Sequence, residues 1–172
     1  MTENKVPVLL VCGVSGSGKT TIGTGLAQRL GWAYAEADAF HPTVNVEKMA
    51  SGVPLTDEDR VPWLKAIGGF IDEATELGRS AVVTCSALKR AYRDELRSGR
   101  PNVRFVFLDA PHDVVSARLA RRAGHFFPAE LLASQYRDLE APAPEENILD
   151  VPISAADTAN EVVARILALL AR

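Results

Sequence analysis

The sequence predicts an α/β protein in which a mostly parallel sheet is covered by helices on both faces. Short apolar runs rich in β-branched residues alternate with segments of helical periodicity along the whole chain, which is typical of right-handed βαβ units. The apolar runs are continuous, as expected of strands that are buried on both faces. The chain of 172 residues is 47% hydrophobic and 24% charged, which suits one domain with a sizeable core.

The elements follow from these patterns in chain order. Residues 8–12 (Val-Leu-Leu-Val-Cys) form an apolar run that is too short and too β-branched for a helix. Strands are predicted at 8–12, 32–36, 81–85, 103–108 and 148–153. Helices are predicted at 20–30, 64–77, 113–122, 129–139 and 162–170. The Pro-rich stretch 141–146 is predicted to be a surface loop, because too few residues follow it for a second domain.

Composition excludes several classes of protein. The chain carries 19 Lys and Arg against 22 Asp and Glu, so a basic nucleic-acid binder is disfavoured. Its two cysteines cannot build a disulfide scaffold or a Cys-rich zinc module, and both are expected to be buried, reduced thiols. The sequence contains no apolar stretch of about 18 residues and no signal-peptide pattern. A cytoplasmic location without membrane contact is expected.

A phosphate-binding loop follows the first strand. Gly13-Val-Ser-Gly-Ser-Gly-Lys-Thr20 fits the pattern G-x-x-x-x-G-K-[ST], with a strand before it and a helix after it. Its backbone N–H groups are expected to bind phosphate oxygens. Lys19 is expected to reach the β- and γ-phosphates, and Thr20 to ligate Mg²⁺. The predicted ATP-binding residues of this segment are Gly13, Val14, Ser15, Gly16, Ser17, Gly18, Lys19, Thr20 and Thr21.

A triphosphate site is compatible with several functions. The one Asn-Lys pair, Asn4-Lys5, precedes the first strand and lacks the Asp of a guanine-reading motif, which disfavours a GTPase switch. The length excludes large motor ATPases. A compact phosphotransferase remains, with a non-catalytic ATP-binding regulator as the alternative.

Two carboxylates mark the acceptor side. Glu36 and Asp38 lie at the end of the second predicted strand, where ligands collect in open parallel sheets. They are two residues apart and would share a side if the chain stayed extended. One could hold a Mg²⁺-bound water while the other takes a hydroxyl proton.

Cations lie near the other predicted strand ends, which indicates an anionic acceptor. They are Lys48, Arg60, Lys89, Arg90 and Arg93. Trp63, at helical spacing from Ile67, is expected in the core rather than on a sugar.

Longer motifs closely resemble those of the small bacterial gluconokinases. They are Gly13–Thr20, Asp38-x-x-His-Pro-x-x-Asn-x-x-Lys-Met49, Gly52-x-Pro-Leu-x-Asp-x-Asp-Arg-x-Pro-Trp-Leu64, Cys85-Ser-Ala-Leu-Lys89, Tyr92-Arg-Asp94 and Gly124-His-Phe-Phe127. The resemblance runs from about residue 8 to about residue 140. One departure is Ala37, where the family usually has Gly.

The resemblance implies the fold of shikimate and nucleoside-monophosphate kinases. This is a P-loop kinase fold with a five-stranded parallel sheet of order 2-3-1-4-5, flanked by helices, and with a lid segment at approximately residues 120–135 of a single domain spanning 1–172. It implies transfer of phosphate from ATP to the C6 hydroxyl of D-gluconate with Mg²⁺, in an enzyme that is commonly a homodimer. The alternatives are a same-fold kinase acting on another sugar acid or shikimate, and the non-catalytic regulator.

Roles for individual residues follow from this hypothesis. Lys19, Asp38 and Arg122 are predicted to be catalytic, with Asp38 on the acceptor hydroxyl and Arg122 brought in by the lid. Arg118 is predicted to contact ATP, by stacking on adenine. Thr20 and, through water, Glu36 are predicted to hold the metal. The predicted substrate-binding residues are Asp38, His41, Asn45, Lys48, Arg60, Ser86, Lys89, Arg93 and His125, with Arg60 and Lys89 as the leading partners of the carboxylate.

Overall fold

The structure, a computed structural model, describes residues 5–122 and 129–172. Within them the strands are Val8–Cys12 (β1), Ala33–Glu36 (β2), Ala81–Thr84 (β3), Val103–Asp109 (β4) and Leu149–Pro152 (β5). The α-helices are Lys19–Leu30 (α1), Thr43–Ala50 (α2), Asp57–Glu76 (α3), Arg90–Arg97 (α4), His112–Arg121 (α5), Ala129–Asp138 (α6) and Ala159–Leu170 (α7). Short 3₁₀ turns occupy Ala37–Phe40 and Pro144–Glu146.

The five strands form one parallel sheet in the order β2-β3-β1-β4-β5, which confirms the predicted topology. The central strand β1 pairs with β3 on one side and with β4 on the other, Val8 standing opposite both Ala81 and Val103. The chain therefore leaves β1 where the strand order reverses. In such sheets this is where a crevice for ligands opens, at the carboxyl ends of the strands.

Both faces of the three central strands, β3, β1 and β4, are mostly buried, as the continuous apolar runs predicted. Along β1, Leu9 and Val11 pack into one core, and Leu10 packs into the other. The first core is completed by side chains of α1, α5, α6 and α7, and the second by side chains of α3 and α4. Because successive side chains of a strand point to opposite faces, this double burial holds the end of β1 rigidly between two layers of helices.

The structure contains two helices that the sequence analysis missed, α2 and α4. Three apolar side chains of α2, Val44, Val46 and Met49, are exposed, so this helix has no clean apolar stripe. In α4 the buried residues are Tyr92, Arg93 and Leu96, and the buried arginine disguises the apolar face. Hydrophobic periodicity detects neither pattern.

Helix α3 begins at Asp57, seven residues before the predicted start at Leu64. The Thr56 side chain accepts a hydrogen bond from the Asp59 N–H at 3.1 Å, and the Asp59 carboxylate accepts one from the Thr56 N–H at 3.0 Å. This capping box satisfies free N–H groups of the first turn. The helix start therefore carries a polar signal that precedes its apolar stripe.

The stretch 141–146 lies mostly at the surface, as predicted, but its last residue does not. Glu146 ends the 3₁₀ turn and is buried. The prediction of an ordinary surface loop is wrong at this residue, because Glu146 meets a buried arginine described below.

Cys12 and Cys85 are free and buried, as expected, and burial raises the pKa of each thiol to about 12. Both are therefore protonated at neutral pH. In the described part of the chain, none of the helices combines the length and the apolar character that crossing a membrane requires.

Candidate active site

The phosphate loop connects β1 to α1, and its backbone conformation requires glycine at positions 13 and 18. Gly13 has φ +144° and Gly18 has φ +102°, backbone conformations that other residues rarely adopt. A Cβ at Gly13 would also lie 3.0 Å from the Leu108 carbonyl oxygen. The Gly13 N–H donates to the Ser86 carbonyl at 3.2 Å, which ties the loop to the chain that leaves β3.

The predicted ATP-binding residues occupy this loop and the first turn of α1. Val14 and Ser17 are buried, whereas Thr20 and Thr21 are exposed on the helix. The Ser17 Oγ is buried and, among the described residues, has no hydrogen-bond partner. A buried hydroxyl is costly without a partner, so the loop offers an unsatisfied polar atom beside its backbone N–H groups.

Lys19 folds back over the loop. Its Nζ donates to the carbonyls of Gly13 at 3.0 Å and Val14 at 2.9 Å. Burial lowers the pKa of Lys19, and the negative charge of Asp38 opposes that shift. Lys19 and Asp38 are thus electrostatic neighbours, which joins the phosphate loop to the predicted acceptor side.

Thr20 and Glu36 meet directly. The Thr20 hydroxyl donates to Glu36 Oε1 at 2.7 Å, and the Tyr34 hydroxyl donates to Glu36 Oε2 at 2.9 Å. Tyr34 is a site residue that sequence analysis missed, although its spacing of two residues from Glu36 places both side chains on one side of β2. The Tyr34 hydroxyl also lies 3.3 Å from Thr84 Oγ1, so it anchors the Glu36 carboxylate to the sheet.

This pair fits a magnesium ion. Mg²⁺ prefers hard oxygen ligands and is commonly held by one or two protein oxygens together with waters and substrate phosphates. A hydroxyl and a carboxylate oxygen, 2.7 Å apart beside the phosphate loop, supply that type of ligand.

Asp38 lies outside β2. The strand ends at Glu36, and a 3₁₀ turn begins at Ala37, so the extended chain assumed in the sequence analysis is wrong here. The turn leaves Asp38 exposed while Glu36 stays with Thr20. The two carboxylates are therefore separated by backbone conformation, which suits two different roles.

His41 and Trp63 stack with their ring centroids 4.4 Å apart and their planes 9° from parallel. Trp63 is buried in the core, as predicted, and its indole N–H donates to the Ala37 carbonyl at 2.8 Å. Burial lowers the pKa of His41, while Asp38 raises it and Arg60 lowers it. The charges of both Asp38 and Arg60 therefore act on His41.

Asn45 and Lys48 hold α2 against α3. The Asn45 side chain is 1% exposed and donates to the Asp59 carbonyl at 2.8 Å. Lys48 Nζ lies 2.9 and 3.0 Å from the two Asp59 carboxylate oxygens. The Thr56 N–H, and then Lys48, lower the pKa of Asp59 to about 2. These contacts give Asn45 and Lys48 a structural role between α2 and α3.

Arg60 and Lys89 converge on one carboxylate, that of Asp57. Lys89 Nζ lies 3.0 Å from Asp57 Oδ1, and Arg60 Nη1 lies 3.9 Å from the same oxygen. The Tyr92 hydroxyl donates to that oxygen as well. The structure therefore brings together the two cations that the sequence analysis favoured for an acidic substrate, and it adds Tyr92.

Arg93 is the clearest correction among the predicted substrate contacts. Its guanidinium is 1% exposed and pairs with Glu146, also 1% exposed, at 2.8 and 3.0 Å. It also donates to the carbonyls of Ala87 and Leu88, each at 3.1 Å. Its donors point into the protein and cannot reach a ligand.

The loop that Arg93 supports carries other predicted site residues. Ala87 has φ +42°, a conformation that costs energy for a residue with a side chain. Ser86, on one side of it, accepts from Gly13, and Lys89, on the other, reaches Asp57. By its hydrogen bonds to the Ala87 and Leu88 carbonyls, Arg93 thus supports the loop that carries Ser86 and Lys89.

The predicted lid is described only in part. Arg118 Nη1 donates to the Ser17 carbonyl at 3.3 Å, which places this guanidinium at the phosphate loop. Arg122 is exposed just after the end of α5. His125, together with the rest of 123–128, lies outside the described residues.

Gln135 of α6 was missed altogether. Its Oε1 accepts from the Ser15 N–H, and its Nε2 donates to Ser15 Oγ, both at 2.7 Å. These residues are 120 positions apart, so a sequence pattern could not pair them. Gln135, at the end of the predicted lid segment, joins α6 to the phosphate loop.

The fold and this site define a P-loop kinase, in which the phosphate loop lies where the strand order reverses and the Thr20 hydroxyl beside it meets Glu36. A family model described as an AAA domain matches residues 8–142. The gluconokinase of Gluconobacter oxydans is 52% identical over 157 residues, covering 88% of this chain and 88% of its own. The chain belongs to the gluconokinase family.

Solved structures agree with this assignment. A gluconokinase from Sinorhizobium meliloti shares 44% sequence identity and a TM-score of 0.86, covering 96% of this chain and 92% of its own. A sugar kinase from Janibacter shares 45% identity and a TM-score of 0.86, covering 96% and 95%.

Proposed function

We infer that this protein is a gluconokinase, which transfers the γ-phosphoryl group of ATP to the C6 hydroxyl of D-gluconate to give 6-phospho-D-gluconate and ADP. The observation that carries the inference is the phosphate loop in a chain of this family. The negative charge of Asp38 acts on the pKa of Lys19 in this loop. A P-loop kinase needs both the phosphate loop with its lysine and a carboxylate on the acceptor side, because phosphoryl transfer depends on positioning and charge stabilisation.

We propose the following roles for the reacting groups. The loop N–H groups and Lys19 bind the β- and γ-phosphates. Asp38 accepts a hydrogen bond from the C6 hydroxyl, orients it in line with the γ-phosphorus, and takes its proton late in the transfer. The new bond joins the C6 oxygen to phosphorus, while the bond from phosphorus to the β,γ-bridging oxygen breaks and ADP leaves.

The metal proposal uses Thr20 and Glu36. The Thr20 hydroxyl would ligate Mg²⁺ directly, and Glu36, held by Tyr34, would bind it through water. When bound, the ion supplies charge neutralisation for the phosphates.

The acceptor side follows from the order of charges. The charges of Asp38 and Arg60 both act on the pKa of His41, and Arg60 contacts the cluster of Asp57, Lys89 and Tyr92. An extended six-carbon acid would therefore place its C6 hydroxyl at Asp38 and its carboxylate near Arg60 and Lys89. Ser86 and His41 remain candidates for hydroxyl contacts.

We propose that the segment at about 120–135 of a single domain closes over ATP, with Arg122 on the transferring group and Arg118 against adenine. The contact of Arg118 with the Ser17 carbonyl supports a place beside the nucleotide. A homodimer and a cytoplasmic location are retained as predictions, and light scattering on the purified protein tests the first.

An ADP-release assay with ATP and Mg²⁺ tests the proposed function. The substrates are D-gluconate, other sugar acids, shikimate, and nucleoside monophosphates. We expect efficient turnover with gluconate. Preference for another acid would support the same-fold alternative, and ATP binding without turnover of any acceptor would support a regulator.

Replacing Lys19 by Ala is expected to lower kcat by roughly 10²–10³ or more, because a cation is lost from the γ-phosphate. Lys65→Ala is the control, since Lys65 is exposed on α3 and should leave kcat unchanged. Steady-state kinetics and thermal unfolding are measured on both variants. Near-normal turnover by Lys19→Ala would contradict the site.

Replacing Arg60 or Lys89 by Ala is expected to raise KM for gluconate roughly 10- to 150-fold, the loss of one charge-assisted hydrogen bond. KM for ATP should stay nearly constant, because the donor site is on the other loop. Arg79→Ala, an exposed arginine, is the control. If KM for gluconate is unchanged, the carboxylate binds elsewhere.

A further inference from the structure

Two hydrogen-bond donors and a second cation surround a single carboxylate oxygen. Asp57 Oδ1 receives the Tyr92 hydroxyl, lies 3.0 Å from Lys89 Nζ, and lies 3.9 Å from Arg60 Nη1. Arg60 Nη1 also donates to the Tyr92 hydroxyl at 3.1 Å. We call Arg60, Lys89 and Tyr92 the carboxylate cluster. These three side chains already surround a carboxylate of the protein itself, that of Asp57.

The cluster is built around a fixed centre. Tyr92 is 8% exposed and its ring packs in the core against α3, so its hydroxyl cannot move far. The Arg60 guanidinium carbon and Lys89 Nζ lie 5.6 and 5.7 Å from the centroid of this ring. A hydroxyl and two cations are thus held in one arrangement that matches a carboxylate.

Asp57 differs from its partners in its exposure. Its side chain is 59% exposed, whereas the three donors are half-buried or buried. The hydrogen bonds from Tyr92, and then from Lys89, lower the pKa of Asp57, so it is ionised at neutral pH. An exposed, ionised carboxylate on a less exposed set of donors can be replaced by another carboxylate that arrives from solvent.

We propose that Tyr92 and Asp57 act in opposite directions on the affinity of this kinase for a sugar acid: Tyr92 is a third donor to the substrate carboxylate, and Asp57 is an internal carboxylate that competes with the substrate carboxylate for the same donors. The proposal rests on the proposed function, because it takes the cluster as the carboxylate subsite. The two carboxylates cannot share the donors without like-charge repulsion, so binding of the acid displaces Asp57.

This competition acts on acids and leaves neutral polyols unaffected. A sugar acid replaces the contacts that Asp57 gives up, because its own carboxylate accepts from the same donors. A neutral sugar alcohol offers no such group, so it leaves Asp57 in place and gains nothing from the cluster. The cost of the competition is a weaker apparent affinity for the acid.

Asp57→Asn tests the competition through the sign of its effect. Exposed ion pairs are individually weak, so removing the competing charge is expected to lower KM for gluconate by about 2- to 10-fold, with KM for ATP unchanged. If Asp57 merely held Arg60 and Lys89 in place, the same substitution would raise KM for gluconate. The efficiency with sorbitol, which has no carboxylate, should stay within about twofold of the wild type.

Glu58→Gln is the matched control. Glu58 is an exposed acid in the same first turn of α3, so its replacement makes the same change in net charge and in the charge at the helix N-terminus. KM for gluconate should stay within about twofold of the wild type. An equal fall in both variants would identify a general charge effect and overturn the proposal.

Tyr92→Phe tests the third donor. The ring stays in the core, so thermal unfolding should change little. KM for gluconate is expected to rise about 5- to 20-fold, while KM for ATP and for sorbitol does not. An unchanged KM for gluconate would remove Tyr92 from the subsite.

Wild-type kinetics and calorimetric titration with gluconate separate the two levels of inference. A wild type that phosphorylates gluconate, together with an Asp57→Asn variant whose KM and dissociation constant rise or stay constant, overturns this proposal and leaves the proposed function intact. A wild type that does not turn over gluconate overturns both.

Discussion

Replacing Asp38 by Asn is expected to lower kcat for gluconate by roughly 10²–10⁴, because the amide keeps the shape of the side chain but cannot take the hydroxyl proton. ATP binding should survive, since the phosphate loop is untouched. The exposed position of Asp38 in its 3₁₀ turn makes loss of folding an inadequate explanation for such a fall. The measurement is kcat beside a direct nucleotide-binding assay.

Glu36→Gln is the matched control, since it makes the same chemical change two residues earlier. Glu36 contacts Thr20 and Tyr34, so its variant should need more Mg²⁺ and recover part of its kcat in a Mg²⁺ titration. Asp38→Asn should not recover. Recovery of Asp38→Asn alone would mean that the two roles are exchanged, and less than a tenfold loss in both would place the acceptor site elsewhere.

Replacing Arg93 by Met is expected to lower the free energy of unfolding by about 3–5 kcal/mol. The substitution leaves the Glu146 carboxylate buried without its partner, which costs more than the loss of the attraction itself. Unfolding in urea measures the effect. Arg93→Met with Glu146→Leu should regain part of the loss, because no charge is then buried unpaired.

Arg100→Met is the control for Arg93→Met. Arg100 makes a similar two-bond pair with Asp72, at 2.8 Å for each bond, but the Asp72 side chain is 51% exposed. Such a surface pair contributes about 0–1 kcal/mol. An equal loss from Arg100→Met and Arg93→Met would show that burial does not control the energy of these pairs.

The same ion pair has a pH dependence of known sign. Arg93 lowers the pKa of Glu146, so the pair contributes fully at pH values above the ordinary glutamate pKa. The contribution is lost as the pH falls through the lowered pKa in the folded protein. The stability difference between the wild type and the double variant should therefore shrink on acidification.

The phosphate loop shows what could be predicted from local sequence. Its function depends on consecutive backbone N–H groups, and its shape depends on glycines at positive φ, so the eight residues from Gly13 to Thr20 contain nearly all the information. The sheet was predictable for a related reason, because a strand that is buried on both faces must be apolar throughout. The order of the strands came from resemblance to a family.

Arg93 and Asn45 show where this reasoning fails. A charged or amide side chain in a sequence is compatible with solvent, with a ligand or with a buried partner, and local pattern does not distinguish these. The partner of Arg93 is Glu146, 53 residues away, and it becomes available only when the turn before β5 packs against α4. The bond from Asn45 to Asp59 likewise requires α2 to dock on α3.

The sequence by itself determined the class of site, the phosphate loop and the family of this protein, because these depend on consecutive residues or on long motifs. Only the tertiary structure decided which polar side chains face a ligand and which are used internally. It placed Gln135 on Ser15, separated Glu36 from Asp38 by a turn, and gathered Arg60, Lys89 and Tyr92 around Asp57. The physical reason is that each polar group is satisfied by the nearest complementary group in space, and that group lies in another element whose packing the apolar core decides.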